Sequence, residues 1–216
     1  MKIPLALKLK RKLHRDIALA QDLLVEQLYK IFEKAVLHGG TAIWRCYGSN
    51  RFSEDVDVYV KPDGASKARM EKFFESLEKI GFEIAKKRIK ANSVFSRLKL
   101  GQAEIRFEAI FKHVKAALGN YEKIDGSSIV VFTLTPEQLI EEKVSAYTKR
   151  LKIRDLYDIA FLLEKVKDRE RVRKAIKALL SKYRPPKDER ELKVLLLTGA
   201  VPNKEQILAY IKRWQE

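Results

Sequence analysis

Cysteine is nearly absent from this chain: Cys46 stands alone, which excludes an internal disulfide and any zinc site built from several cysteines. Histidine is almost as scarce. His14, His38 and His113 are far apart, no His-Glu-x-x-His helix occurs, and His38 reads as a backbone-orienting neighbour of the glycines that follow it, not as a ligand. No run approaches the roughly 20 consecutive apolar residues of a membrane helix. The amino-terminal stretch MKIPLALKLKRKLHRD is interrupted by lysines and lacks a small-residue cleavage site, so it does not read as a signal peptide. A cytoplasmic protein with no membrane partner is expected. Neither a Gly-x-Ser-x-Gly nucleophile nor a Gly-x-x-x-x-Gly-Lys phosphate loop is present, which removes esterase and P-loop chemistry. There are no internal repeats and no low-complexity segment.

Acidic residues are the scarcer charge, 29 against 45 Lys and Arg in 216 residues, leaving a net charge of +16. A field of that sign draws in phosphates, as nucleotides or as a nucleic acid backbone; the plainer alternative is a solubilising surface. The excess is concentrated. Lys86, Lys87, Arg88, Lys90, Arg97 and Lys99 form one acid-free run, and Lys8, Lys10, Arg11, Lys12 and Arg15 form another. With 46% apolar residues the chain can bury a substantial core.

Periodicity divides the chain. Residues 10–35 read as a long helix, with Leu13, Ile17, Ala20, Leu24, Leu28, Ile31 and Phe32 at three- and four-residue steps. Residues 35–37 read as a short strand or the end of that helix, stopped by Gly39-Gly40, where two residues without Cβ let the backbone turn and approach a ligand. Thr41 is expected to cap a short helix over 42–46. From Asp55 to Val60, Val56, Val58 and Val60 alternate with Asp55 and Asp57, the pattern of a half-buried strand displaying two carboxylates. A helix over 65–80 and strands over 82–89, 93–100 and 103–111 follow, then a loop over 119–128 and a strand over 129–133. Thr135-Pro136 opens helices over 136–150, 153–166, 169–182, 188–197 and 203–214. The expected architecture is α/β, a mixed sheet flanked by helices over 1–133, followed by a helical domain over 134–216.

Two carboxylates at i and i+2 on a strand, joined by a third from a neighbouring strand, make an oxygen-rich site for a hard cation such as Mg2+. A Gly-Gly-Thr turn before a helix offers backbone N–H groups to phosphates. Glu104 and Glu108 both alternate outward in 103–111 and compete for the third place; the Arg106-x-Glu108 spacing favours Glu108.

The order Gly39-Gly40-Thr41-Ala42, then Arg45 or Arg51, then Ser53-Glu54-Asp55-Val56-Asp57 resembles the AbiEii/AbiGii-like nucleotidyltransferases, which share their fold with DNA polymerase beta. Downstream, Lys143 in EEKVSAYTKR and Arg154, Asp155 and Asp158 in RDLYDIAFLL match further segments of that family. The resemblance implies a magnesium-dependent nucleotidyltransferase with two ions held by Asp55, Asp57 and Glu108. It implies nucleotide contacts at Gly39, Gly40, Thr41, Arg51, Ser53, Lys143 and Asp158. The NTP would be the substrate, an RNA such as the 3′ end of a tRNA the acceptor, and a cognate antitoxin protein a partner. From the residues alone, Arg154 with Asp158 is also an i, i+4 pair that braces a helix, and Lys143, Tyr147 and Arg150 share a helix face. An acceptor of another kind, protein or small molecule, and a non-catalytic RNA-binding module on the same fold are the alternatives.

Overall fold

The computed structural model describes residues 4–216; the first three residues of the amino-terminal stretch lie outside it. The chain divides into two compact units, one holding the residues up to Cys46 together with Ser53–Thr133, the other Tyr47–Phe52 together with Leu134–Glu216.

The first unit begins with a one-turn helix α1 (Leu5–Lys8) and a long helix α2 (Lys12–Ile31). The predicted helix over 10–35 is thus shorter at both ends, and Leu13, expected on its apolar face, is 48% exposed. Strand β1 (Val36–His38) follows and runs directly into α3 (Gly39–Tyr47). The glycine pair is therefore the first turn of a helix, and Thr41 lies inside that helix, not at its cap. Then come β2 (Val56–Val60), α4 (Ser66–Lys79), β3 (Glu83–Ile89), β4 (Ser93–Leu100) and β5 (Ala103–Phe111), close to their sequence expectations. The predicted loop over 119–128 is confined to 123–127. Residues Ala117–Glu122 form strand β6, antiparallel to β7 (Ser128–Thr133). Gly119 and Asn120 are poor strand formers, but pairing overrides them: Tyr121 is fully buried, and a Cβ at Gly119 would meet the Thr133 side chain at 2.8 Å.

The seven strands form one mixed sheet in the order β3-β4-β5-β2-β1-β7-β6. β1 is antiparallel to β2 and parallel to β7, and β2 is parallel to β5. Alternation sorts the strands' side chains onto two faces. One face carries Val56, Val58, Phe107 and Leu98, all fully buried, and receives α4, whose Phe73 and Phe74 rings lie 5.1 and 6.3 Å from the Phe107 ring. Burying these three rings stabilises the unit by about 1.5–3 kcal/mol apiece. The opposite face carries the polar partners of the same strands, and that is where Asp57 and Glu108 stand.

The second unit is helical: α5 (Pro136–Arg150), α6 (Ile153–Leu163), α7 (Arg169–Ser181), α8 (Leu192–Leu195) and α9 (Lys204–Gln215). Thr135 caps α5 as expected, and Gln138 returns a side-chain hydrogen bond to its backbone to complete a capping box. The predicted helix over 188–197 is instead a 3-10 turn at Glu189–Glu191 and the single turn α8. Leu196 then leaves helical geometry to form a bridge with Arg51, flanked by backbone bonds from Phe52 to Leu195 and from Leu197 to Asn50.

Candidate active site

Asp57 and Glu108 are direct neighbours in the parallel β2–β5 ladder. Strand alternation puts them on one face, and Asp55, two residues before Asp57, joins them. Glu104 does not, being paired across β4–β5 with Lys99 and lying 4.0 Å from Arg97. Arg106 closes the group. Its Nη2 donates to Asp55 Oδ2 at 2.6 Å, and its Nε lies 3.2 Å from Glu108 Oε1. Arg106 thus neutralises this cluster.

Asp57 is flanked in the sheet by His38 on β1 and Glu108 on β5. Burial pushes its carboxyl above the usual carboxylate range; His38 and Arg106 draw it back, while Asp55 and Glu108 push it further. His38 is opposite Asp57 in the β1–β2 register and stacks on Tyr59 with ring centroids 4.0 Å apart. Among the described residues no three His, Cys, Asp or Glu side chains are already drawn into a metal-ligating cluster. The donors nonetheless fit a hard divalent cation in kind. Three carboxylates share one face, and one guanidinium, that of Arg106, lies among them.

The amino-terminus of α3 abuts Asp57. Gly39 has φ +70°, and a Cβ there would collide with the Asp57 carboxylate. Only glycine brings the helix start this close, with its unsatisfied N–H groups and the positive end of its dipole beside the carboxylate face. The Thr41 hydroxyl donates to the Asp55 carbonyl oxygen, fixing the segment that leads into β2. Ser53 is buried, and its carbonyl accepts from Gln21 Nε2 at 2.8 Å. The other end of α3 is anchored by Arg45, 1% exposed and within 4.7 Å of the Trp44 and Tyr121 ring centres. Arg45 donates to Asp22, which also accepts from Tyr121 Oη at 3.1 Å and the Ile124 N–H at 2.7 Å. Of the two arginines considered for the motif, Arg45 holds the glycine helix. Burial pushes the Cys46 thiol up to about 12, so the only cysteine is not a nucleophile at neutral pH.

Arg51, Lys143, Asp155 and Asp158 belong to the second unit, where the structure brings them together. Arg51 Nε and Nη2 donate to the two Asp158 oxygens at 2.6 and 2.8 Å, and Lys143 Nζ lies 2.7 Å from Asp158 Oδ2. Asp155 accepts from Arg150 Nε and Nη2, both at 2.7 Å, and from Lys143 Nζ at 3.4 Å. Asp158 is fully buried. Burial alone would raise its carboxyl, and the Arg51 and Lys143 charges outweigh that and hold it below the usual range. The i, i+4 brace between Arg154 and Asp158 is replaced by these longer-range partners. Arg106 and Gln21 are the site-supporting residues that sequence reasoning missed. The basic-x-acid spacing pointed at Arg106 without giving it a role, and a buried glutamine on an amphipathic helix carries no local signal.

The profile of the family described as nucleotidyl transferase AbiEii toxin, type IV toxin–antitoxin system, matches residues 22–215. Among solved structures, the chain is similar to MenT4, a nucleotidyltransferase toxin from Mycobacterium tuberculosis H37Rv. That match has a TM-score of 0.58 and 20% identity, covering 99% of this chain and 89% of that one. It is also similar to JHP933 from Helicobacter pylori, with a TM-score of 0.57 and 19% identity over 92% of this chain and 91% of that one. No curated protein sequence matches the chain. The glycine-led helix against a strand carboxylate, the third carboxylate in register on β5 and a family match over most of the chain agree: the chain belongs to the AbiEii family of nucleotidyltransferase toxins.

Proposed function

We propose that the chain transfers a nucleoside monophosphate from an NTP to a hydroxyl of an RNA acceptor, a tRNA 3′ end, and that a cognate antitoxin protein restrains it. The observation that carries this reading is the in-register placement of Asp57 and Glu108 beside the start of α3. The N–H groups of Gly40 and Thr41 in the first turn of that helix hold the phosphates. Glu108 takes the proton of the acceptor hydroxyl as its oxygen bonds to the α-phosphorus; the bond to the β-phosphate breaks and pyrophosphate leaves. Arg106 orients Glu108 and Asp55. Two Mg2+ ions held by Asp55, Asp57 and Glu108 would supply charge neutralisation of the triphosphate and of the leaving pyrophosphate. The net charge of +16 favours a polyanionic acceptor. The enclosed pairings of Arg51, Lys143 and Asp158 favour a bracing role inside the second unit over direct contact with the nucleotide.

Incubation with each of the four labelled NTPs, total tRNA and cell protein tests this. Label in the tRNA fraction is expected. Label confined to protein would replace the acceptor, and no label in any fraction would remove the transferase reading.

A further inference from the structure

Beside the carboxylates, the same sheet face continues over β5, β4 and β3, and its composition changes abruptly. From Ile84 to Ala103 there is no acidic residue, while six are Lys or Arg. The ladders fix where these side chains stand. Arg88 is opposite Phe95, Phe95 opposite Glu108, and Glu108 beside Asp57. A single row across four strands therefore reads Arg88, Phe95, Glu108, Asp57. The next row reads Lys86, Arg97, Arg106, and ends in the contact between Arg106 and Asp55. A shift in the β3–β4 register after Ile84 places Lys86 opposite Arg97, and the Lys86 ammonium lies 5.6 Å from the centre of the Phe95 ring. Lys87 belongs to the other face, where it pairs with Glu71 of α4 at 2.6 Å.

Phe95 is a half-buried aromatic ring in the middle of a polar face, one strand spacing, about 5 Å, from the third carboxylate. Arg88, Lys86 and Arg97 surround it and are exposed. A surface serving only solubility has no use for an aromatic side chain at that register. An aromatic on a sheet face among cations is the arrangement that stacks a nucleobase while holding its phosphates.

We propose that Phe95, with Lys86, Arg88 and Arg97, forms the acceptor platform of this enzyme. The terminal base of a single-stranded RNA end stacks on Phe95, its phosphodiesters lie along the basic β3–β4 hairpin, and its terminal ribose hydroxyl is presented to Glu108. This rests on the reading of Asp55, Asp57 and Glu108 as the nucleotidyl-transfer centre and names what positions the acceptor there.

Two measurements on the full chain test the platform, with total tRNA as probe. In binding without NTP, Lys86→Glu with Arg88→Glu weakens tRNA binding at least tenfold and flattens its dependence on salt. In transfer, Phe95→Ala raises the KM for tRNA roughly tenfold, as loss of one stacked base predicts. The KM for NTP stays within twofold, and Phe95→Trp restores the tRNA value. Lys86 and Arg88 are exposed, so the double charge variant should keep the wild-type melting temperature; Phe95 is half-buried, and the unchanged KM for NTP with recovery in Phe95→Trp separates loss of stacking from loss of stability. Wild-type protein that labels tRNA, with Phe95→Ala and the double charge variant both matching it in tRNA KM and binding, overturns the platform and leaves the transfer centre standing. Label passing to protein alone also overturns it. Absence of labelling with normal, hairpin-dependent tRNA binding rejects the transfer centre and keeps the hairpin as an RNA-binding surface.

Discussion

Glu108 on β5 stands directly beside Asp57 on β2, and this parallel register separates it from Glu104, four residues earlier on the same strand face. Glu104 instead faces Lys99 on β4. Glu108→Gln should therefore lower nucleotide transfer by about a hundredfold or more, the scale of losing a general base. Glu104→Gln should change it less than threefold. The comparison is made by initial rates at saturating NTP, with melting curves to show that both variants fold.

Gly39→Ala should remove activity for a geometric reason. A left-handed φ costs an L-residue about 1–2 kcal/mol, and here the added Cβ would also displace the Asp57 carboxylate. Gly48 supplies the control, since its φ is +77° and a Cβ there would meet no atom within 4 Å. Gly48→Ala should lower the melting temperature by a similar amount and leave transfer within a few-fold of wild type. Equal loss of activity in both variants would mean that backbone strain, and not proximity to Asp57, makes Gly39 necessary.

The Arg51–Asp158 pair predicts a stability effect of different character. Both side chains are almost wholly enclosed, so Arg51→Ala strips Asp158 of its bidentate partner, leaves it only Lys143, and should cost about 3–5 kcal/mol, whereas Arg51→Met with Asp158→Leu should recover most of it. The Asp158 carboxyl sits below its unfolded value, so the stabilisation is fully present above the unfolded pKa, near pH 4, and is lost as pH falls through the folded value. Urea melts should show a constant difference between wild type and the double apolar variant from pH 5 to 8. Below pH 4 the wild type should lose stability relative to that variant.

Much of the fold is legible in local pattern. Alternation marks β2 and β5, and three- and four-residue apolar spacing marks α2 and α4. The signals of Gly39-Gly40 and of Asp55-Val56-Asp57 are equally local, which is why the main elements of the site are readable. What pairing decides is not readable in this way. The choice of Glu108 over Glu104 depends on the register between strands about fifty residues apart. Arg51 lies close in sequence to Asp55 but bonds a carboxylate 107 residues away. Strand β6 is hidden because Gly119 and Asn120 speak against a strand until Val131 and Val130 of β7 are set beside them. Residues 188–197 contain good helix formers, yet the bridge between Leu196 and Arg51 takes the backbone out of the helix after one turn.

The most direct test of the account is transfer of labelled nucleotide to tRNA by wild type and by Asp57→Ala at equal folded concentration with magnesium present. Asp57 lies between the start of α3 and Glu108. Labelling should fall to background in the variant while tRNA binding without NTP persists. Undiminished labelling by Asp57→Ala would contradict the assignment of this carboxylate face as the transfer centre.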